Sequence, residues 1–378
     1  MSAIREHIDH VPLIDHHCHG ITLDELSGPE FELLITESGS HHHRSHFDSP
    51  FGLVVRSECA EVLGLPRHCS AEEYLARRAE LGPREAARLL LAGTGIDTYI
   101  VDTGYLGTQI CSPAELGALA DRPAFAVARL EALAEAIAPD VTAEALPRAL
   151  EAAVQHSTTT HVGFKSIIAY RHGLEFDPVR PTDREVVAAA EAWYARAERT
   201  SSWRLDDPVI MRYLLHCAAD TGRPLQFHVG LGDADAVQHR CDPSHLTRFL
   251  AEIEPTGCRV LLLHCYPFIR EAGILCHVFP HVWMDIGLTL NYLGPSAETA
   301  MREALEVAPF GKQLFASDAF GLPELFLGGA RLWRRSLADV LEHWVARDLI
   351  GVADALRYVD WMANGNAAHV YGIPEVRG

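Results

Sequence analysis

Short apolar segments rich in β-branched residues alternate along the chain with longer segments of helical periodicity. Eight of the short segments have the composition of buried strands, and they span residues 11–15, 97–102, 124–129, 162–167, 224–228, 259–264, 282–285 and 313–317. Strands separated by helices form parallel sheets, because a parallel crossover needs a long connection that a helix provides. Eight such units predict an α/β fold of the (β/α)₈ TIM-barrel type.

Two of the intervening helices carry clear start signals. A helix is predicted over residues 71–92, because Ser70 and Glu73 form the sequence pattern of a capping box. Another is predicted over residues 209–220, where Asp207 can cap the first turn and a proline follows it. Both helices fall between predicted strands, as the alternating pattern requires.

The remaining segments fit around one barrel. The longest connection, about residues 21–92, is predicted as a helical insertion after the first strand, and the segment from about Leu322 as a C-terminal helical tail. The sequence contains no linker, low-complexity tract or repeat beyond the strand–helix unit. We therefore expect a single domain over residues 1–378.

Composition excludes several classes of partner. Of the 378 residues, 48% are apolar and 22% charged, so the chain can bury a sizeable core. Its 32 basic and 51 acidic side chains give a net charge of −19, which disfavours binding to nucleic acids and to anionic membranes. The expected partner is a small-molecule substrate, and self-association into a homo-oligomer is allowed but not required.

The N-terminus and the cysteines predict the compartment. Arg5, Glu6 and Asp9 stand where a secretory signal needs an apolar segment, and no uncharged apolar run reaches the roughly 18 residues of a transmembrane helix. The nine cysteines are scattered and odd in number, unlike a disulfide framework. We expect a cytoplasmic protein with reduced thiols and no membrane partner.

Four predicted strand ends carry side chains that bind metals, and the active site of a parallel barrel forms at these carboxyl ends. His17 and His19 follow the first strand and project to the same side, because side chains alternate along a strand. The fifth and sixth strands end in His228 and His264, and the eighth runs into Asp318. Imidazoles closed by one carboxylate suit Zn²⁺ or a similar divalent ion with an open position for water.

Each of these residues, taken singly, has an alternative role. A histidine at a strand end can be a hydrogen-bonded core residue, and Asp318 can cap the helix that follows it. A purely structural role for the whole set is less favoured, because burying several unpaired polar groups at one barrel mouth costs free energy. We therefore interpret the set as a metal site.

A second group of histidines lies inside the predicted insertion. It comprises His41, His42, His43 and His46, with glycine, serine and proline nearby. These neighbours are typical of an exposed loop, and we favour a loop over a second metal site.

Four motifs around these strand ends resemble a known family. They are residues 163–174 (GFKSIIAYRHGL), 226–233 (QFHVGLGD), 263–267 (LHCYP) and 317–324 (SDAFGLPE). Together with His17 and His19, they resemble the amidohydrolase superfamily of metal-dependent hydrolases. The similarity is greatest to the amidohydrolase domain of nodulin-type and FluG-type proteins, in which a glutamine-synthetase-like domain follows.

The resemblance implies roles for these residues. His17, His19, His228 and Asp318 are the implied ligands of a divalent metal, most simply Zn²⁺ with Mn²⁺ as an alternative, and one ion is favoured over two. Asp318 is also the implied proton shuttle. His264 is the residue implied to stabilise negative charge on the substrate oxygen, with ligation of a second metal as the alternative.

Lys165 admits two interpretations. In some members of the superfamily a lysine at the end of strand four is carbamylated and bridges two metals, which makes Lys165 a candidate metal ligand. An unmodified ammonium would instead repel a divalent ion. It would then pair with a carboxylate such as Asp318 or bind an anionic substrate.

Substrate recognition is predicted from charged residues near the strand ends. Arg171 and Arg129 are candidates for binding a substrate carboxylate, although each could instead neutralise a buried acid. Asp285 and Glu324 could bind an ammonium or hydroxyl group, but support of other site residues is favoured.

The resulting prediction is a metal-dependent amidohydrolase. It would use metal-activated water to cleave an amide or related C–N bond of a small, carboxylate-bearing metabolite. A γ-glutamyl amide is one candidate, by association with the synthetase fusions. The alternatives are a metal-dependent decarboxylase or hydratase on the same scaffold, and a catalytically silent metal-binding barrel.

Overall fold

The computed structural model describes residues 2–376, apart from the side chain of Thr108. The described chain divides into two compact units. The first comprises the residues up to Phe125 together with those from Asp285 onward, and the second is Ala126–Met284. The single domain over residues 1–378 stays a prediction.

The strands are parallel to their sequence neighbours within each unit. In the part of the chain that the structure describes, β1 to β7 are Leu13–Cys18, Ile96–Asp102, Ala124–Arg129, His161–Ser166, Leu225–Val229, Val260–His264 and Val282–Met284. In the first unit β1 pairs with β2, and in the second β3 to β7 pair successively. The predicted α/β fold with parallel strands is confirmed.

Helices connect and follow these strands. In the described residues, α1 to α19 are Ala3–His10, Gly28–Leu33, Pro50–Val54, Ala60–Val62, Ala71–Leu81, Pro83–Ala92, Pro113–Ala120, Leu130–Ile137, Leu146–Ser157, Ile168–Arg171, Asp183–Thr200, Pro208–Asp220, Thr247–Ile253, Ile269–Val278, Gly287–Leu293, Ala297–Val307, Pro323–Ala346, Val352–Asp360 and Asn366–Tyr371.

Shorter turns complete the helical structure. Two π-helical turns are Val55–Cys59 and Trp361–Gly365. The 3₁₀ turns are His46–Asp48, Gly107–Gln109, Ala138–Asp140, Gln238–Cys241, Pro243–Leu246, Glu254–Thr256, Gly294–Ser296 and Phe310–Lys312. None of the helices in the described range has the length and apolar character needed to cross a membrane.

The helix predicted over residues 71–92 is two helices, so the prediction of one continuous helix is wrong. Its capping box is confirmed, because the Ser70 hydroxyl accepts the Glu73 N–H and the Glu73 carboxylate accepts the Ser70 N–H. The break falls at Gly82, whose φ of 75° lies in the left-handed region that glycine adopts without steric cost. Pro83 then begins α6, where the missing N–H of proline is tolerated.

The segment predicted as an eighth strand, residues 313–317, is not a regular strand. It follows β1 through isolated backbone hydrogen bonds, with the His16 N–H donating to Phe315 O and the Asp318 N–H donating to His17 O. Between them, the Ser317 N–H donates to the Asp15 carboxylate. The Asp15 carboxylate therefore accepts a hydrogen bond that a backbone carbonyl accepts in a regular pair of strands, and the regular strand pattern is lost.

Each unit is built on buried aromatic and aliphatic side chains. The largest fully buried residues of the first unit are Phe31, Phe47, Phe51, Tyr74, Tyr99, Phe315 and Phe326, and those of the second are Phe164, Trp193, Tyr213, Phe227 and Phe249. All nine cysteines are buried thiols, as expected from their scattered positions.

Candidate metal centre

The end of β1 presents two histidines on one side. His17 and His19 have ring centroids 5.1 Å apart, and both side chains are buried. Cys18, between them, donates its thiol hydrogen to Ile100 O at 3.6 Å in the neighbouring strand β2. The two imidazoles therefore share a side because side chains alternate along an extended backbone, as the sequence predicts.

Asp318 lies directly beside both histidines. Its Oδ1 is 3.1 Å from His17 Nε2 and 3.4 Å from His19 Nε2. Asp318 itself has a φ of 48°, which is unusual for a residue other than glycine. Sterically strained backbone of this kind persists only where surrounding contacts hold it, and it is common at functional sites.

The contacts that hold this backbone come from Asp15. Its carboxylate accepts both the N–H and the hydroxyl of Ser317, the residue before Asp318. The Ser317 hydroxyl oxygen in turn accepts the Ala319 N–H at 3.1 Å. Burial raises the pKa of Asp15 to about 8, although the hydrogen bonds from Ser317 act in the opposite direction. Asp15 therefore fixes the position of Asp318 relative to β1.

The sequence interpretation missed Asp102, which ends β2. The ligand atoms of His17, His19 and Asp102 lie within 4.8 Å of one another, and all three residues are buried. Asp102 had the same signal as the predicted ligands, a polar residue at the carboxyl end of a strand. Tyr105, just beyond β2, was missed as well, and its ring centroid lies 5.0 Å from that of His19.

These residues fit a divalent metal. The Nδ1 of His19 is 3.3 Å from the backbone oxygen of Asp102, so that contact leaves Nε2 to face Asp318. Histidines that bind metals commonly donate their second ring N–H to a backbone carbonyl in this way. Two imidazoles with carboxylate oxygens form a donor set that suits Zn²⁺ or a similar ion.

His16, the other histidine of β1, has both ring nitrogens engaged. Nε2 is 2.9 Å from the Asp285 carboxylate and Nδ1 is 3.2 Å from the Tyr371 hydroxyl. Asp285 also accepts the Gly287 N–H at 2.7 Å. Asp285 thus lies in a buried hydrogen-bond network with His16, the supporting role that the sequence favours for it.

The second unit carries its own pair of histidines at neighbouring strand ends. His228 on β5 and His264 on β6 have ring centroids 4.9 Å apart, and the Tyr170 ring lies 4.1 Å from that of His228. His264 has a φ of 68°, and Cys265 after it has a φ of 61°. The backbone therefore leaves the extended conformation at His264.

Lys165 and Arg129 lie in the same sheet. Arg129 on β3 is in register with Lys165 on β4, which is in register with Gln226 on β5. Lys165 is buried and Arg129 is partly exposed. Burial raises the pKa of Glu131, the second residue of α8. The positive charge of Arg129 opposes that increase, because it favours the ionised carboxylate of Glu131. The metal-ligand role of Lys165 and the substrate-binding role of Arg129 stay predictions.

Arg171 is already paired with an acid of its own unit. Its guanidinium donates to Glu135 Oε1 and to Leu205 O, each at 3.0 Å, and the side chain is 11% exposed. The arginine thus pairs with an acid, but Glu135 is 26% exposed and is not the buried acid of the alternative interpretation. Substrate binding by Arg171 stays a prediction.

Glu324 is bound by residues of the segment between β1 and β2. Its Oε1 accepts the Tyr74 hydroxyl and Arg78 Nε, both at 2.9 Å, and the carboxylate is fully buried. The contact joins α5 to the first turn of α17, six residues beyond Asp318. Glu324 therefore supports the fold around the site.

Known proteins share parts of this sequence and its fold. A structure from Lactobacillus casei, assigned provisionally to the metal-dependent hydrolases, superposes with a TM-score of 0.86 at 29% identity over 98% of both chains. The FluG protein of Emericella nidulans is 32% identical over 224 residues, which are 57% of this chain and 26% of that protein. The match thus spans about a quarter of the length of FluG.

A uronate isomerase from Bacillus halodurans shares the fold, with a TM-score of 0.66 at 14% identity over 98% of this chain and 96% of that one. The family model described as amidohydrolase matches residues 64–373. The family and the Lactobacillus casei relative imply a divalent metal. A match over this much of the sequence shows that the chain belongs to the amidohydrolase family.

Proposed function

We propose that the protein is a metal-dependent hydrolase that cleaves an amide or related C–N bond in a small, carboxylate-bearing metabolite. The observation that carries the proposal is the approach of two imidazole nitrogens, from His17 and His19, to one oxygen of Asp318. The family supports hydrolysis as the reaction. The (β/α)₈ barrel with an insertion and a helical tail remains part of the proposal.

His17, His19 and Asp318 would hold the metal, with His228 as the further ligand implied by the family resemblance. Asp102 joins them as a candidate because its carboxylate lies close to both histidines of β1. Lys165 would act as a ligand only when carbamylated. Zn²⁺ is the proposed ion and Mn²⁺ the alternative, because the donor set mixes imidazole nitrogen with carboxylate oxygen.

A bound divalent ion supplies Lewis acidity and lowers the pKa of a coordinated water toward neutrality. Asp318 would accept the proton of the attacking water and deliver it to the leaving nitrogen. The Asp15–Ser317 contact would keep the Asp318 carboxylate in place between these two transfers. His264 would donate a hydrogen bond to the substrate carbonyl oxygen as negative charge develops there.

The test measures metal content and reaction products together. Purified protein is stripped with a chelator, reconstituted with Zn²⁺ or Mn²⁺, and incubated with a panel of carboxylate-bearing amides that includes γ-glutamyl amides. We expect amine release that chelation abolishes and either metal restores. His17→Ala/His19→Ala should lose the catalytic metal and the activity, whereas Asp318→Asn should lower kcat by roughly 10²- to 10⁴-fold.

A control variant and the product identity decide between the alternatives. His156→Ala removes an exposed imidazole from α9 and should leave metal content and activity unchanged. Release of CO₂ without an amine would indicate the lyase, and a product with the composition of the substrate would indicate an isomerase. Full activity in His17→Ala/His19→Ala would refute the proposal.

A further inference from the structure

Four histidines lie between α2 and α3, and the proposed function gives none of them a role. His41, His42 and His43 are exposed, as expected for a loop. His46 differs, because it begins the 3₁₀ turn His46–Asp48 and its side chain is only 4% exposed. An exposed loop does not account for a buried imidazole at its end.

The rings of this cluster are spaced like those of the candidate metal centre. The centroids of His42 and His46 are 4.6 Å apart with an interplanar angle of 53°, and the His41 ring lies 6.4 Å from His46. The corresponding distance is 5.1 Å for the pair of histidines on β1. Two imidazoles bound to one tetrahedral ion at about 2.1 Å have centroids roughly 5 Å apart. The His42–His46 pair therefore needs little movement to share an ion.

The ring of His46 also has an unmet polar group. Its Nε2 is buried and has no hydrogen-bond partner among the residues that the structure describes. A buried nitrogen left in this state is unfavourable, and a ligand bound there would offset the cost. The backbone of His46 is fixed as well, because its N–H donates to Glu32 Oε2 at 2.6 Å and so brings a carboxylate to the cluster.

We propose that His42 and His46 form a second metal site, separate from the proposed catalytic ion, which binds a divalent transition metal such as Zn²⁺. The ring of His41 is close enough to become a third ligand, and water would fill the remaining positions. Imidazole-rich, partly hydrated coordination suits Zn²⁺ better than Mg²⁺ or Ca²⁺, which prefer oxygen. The bound ion would tie the loop to the start of the 3₁₀ turn.

Metal-free full-length protein is titrated with Zn²⁺ in a calorimeter. Elemental analysis of the loaded protein then counts the bound ions. We expect His42→Ala, which changes only an exposed side chain, to bind one equivalent fewer than the wild type or to bind it at least about tenfold more weakly. His46→Gln should do the same while it retains a polar group at the buried position. His156→Ala serves as the control and should match the wild type.

The His17→Ala/His19→Ala variant distinguishes Zn²⁺ bound at this site from Zn²⁺ bound at the proposed catalytic site. His17→Ala/His19→Ala should still bind one equivalent of Zn²⁺, and addition of His42→Ala should remove it. The second site is refuted if His42→Ala and His46→Gln titrate like the wild type, or if His17→Ala/His19→Ala binds no Zn²⁺. Neither result depends on a substrate or on catalytic activity.

Discussion

At the scale of single residues, several buried polar groups of this protein are held by side-chain partners. Asp15 binds Ser317 and His16 binds Asp285, and all four residues are buried. Glu131 is a similar case in the second unit, where its Oε1 accepts the Ser166 hydroxyl at 2.6 Å. Burial is the largest influence on Glu131 and raises its pKa above the ordinary value of 4.5.

The raised pKa of Glu131 predicts how stability depends on pH. The folded state keeps the proton at pH values where the unfolded chain has lost it, so this residue stabilises the fold most below pH 4.5. Its contribution falls between pH 4.5 and the raised pKa, by up to about 1.4 kcal/mol per pH unit, and is constant at higher pH. Glu131→Gln keeps an acceptor for Ser166 but cannot ionise, so the variant should lack this decline.

Urea unfolding of wild type and Glu131→Gln across this pH range measures the difference. The free energies of unfolding should diverge in favour of the variant as pH rises from 4.5, and then run parallel above the folded-state pKa. A constant difference at every pH would contradict the assignment. The comparison needs only the variant and the wild type under identical salt conditions.

At the scale of elements, one buried ion pair connects α5 to α17. Arg78 is 6% exposed and Glu324 is fully buried, so the pair is shielded from water and salt. Tyr74 adds a hydrogen bond to the same carboxylate oxygen, and burial raises the pKa of its hydroxyl. The first turn of α17 follows the loop that carries Asp318, so this contact also supports the site.

Removing one partner of this pair should destabilise the protein strongly. Arg78→Met leaves the Glu324 carboxylate buried without its charge partner, and such changes cost about 3–5 kcal/mol. Addition of Glu324→Gln should recover part of the loss, because the remaining group no longer carries a buried charge. Denaturant unfolding of the single and double variants measures both steps.

The matched control is an exposed pair in the next helix. Arg88 and Glu85 are bonded at 2.6 Å on α6, but water and salt screen them. Arg88→Met should therefore leave the free energy of unfolding almost unchanged. Equal effects of Arg78→Met and Arg88→Met would show that the Glu324 contact does not stabilise the fold.

At the scale of the whole molecule, a bound ion should couple the site to global stability. The groups proposed to hold it, from His17 on β1 to Asp318 before α17, are far apart in sequence, so an unfolded chain cannot present them together. An ion that binds only the folded state stabilises it by about 2.7 kcal/mol at a free concentration of 100 Kd. The melting temperature of the metal-free protein should therefore rise with added Zn²⁺.

This rise should be absent in the His17→Ala/His19→Ala variant. Two proteins are compared, one with His42→Ala alone and one with His42→Ala added to His17→Ala/His19→Ala. The second proposed site then contributes to neither. Thermal unfolding at a series of Zn²⁺ concentrations gives the shift. An equal shift with and without the two histidines would contradict binding at β1.

The sequence alone predicted those features of this protein whose signals are local. Alternation along an extended backbone places His17 and His19 on one side, and a capping box needs only Ser70 and Glu73. The signal for a strand is similarly local, since a short apolar run with turn signals at each end indicates one. The motifs around Lys165 and Asp318 indicated the family, because they are specific in residue type and spacing.

Tertiary structure decided what depends on partners distant in sequence. Residues 313–317 lose the regular strand pattern because Asp15, some 300 positions earlier, takes one of their N–H groups. The ion pair of Arg171 with Glu135 and the burial of His46 also depend on residues that are distant in sequence. A side chain's type and local spacing are properties of the sequence, but its burial and its partner depend on which distant segments pack against it.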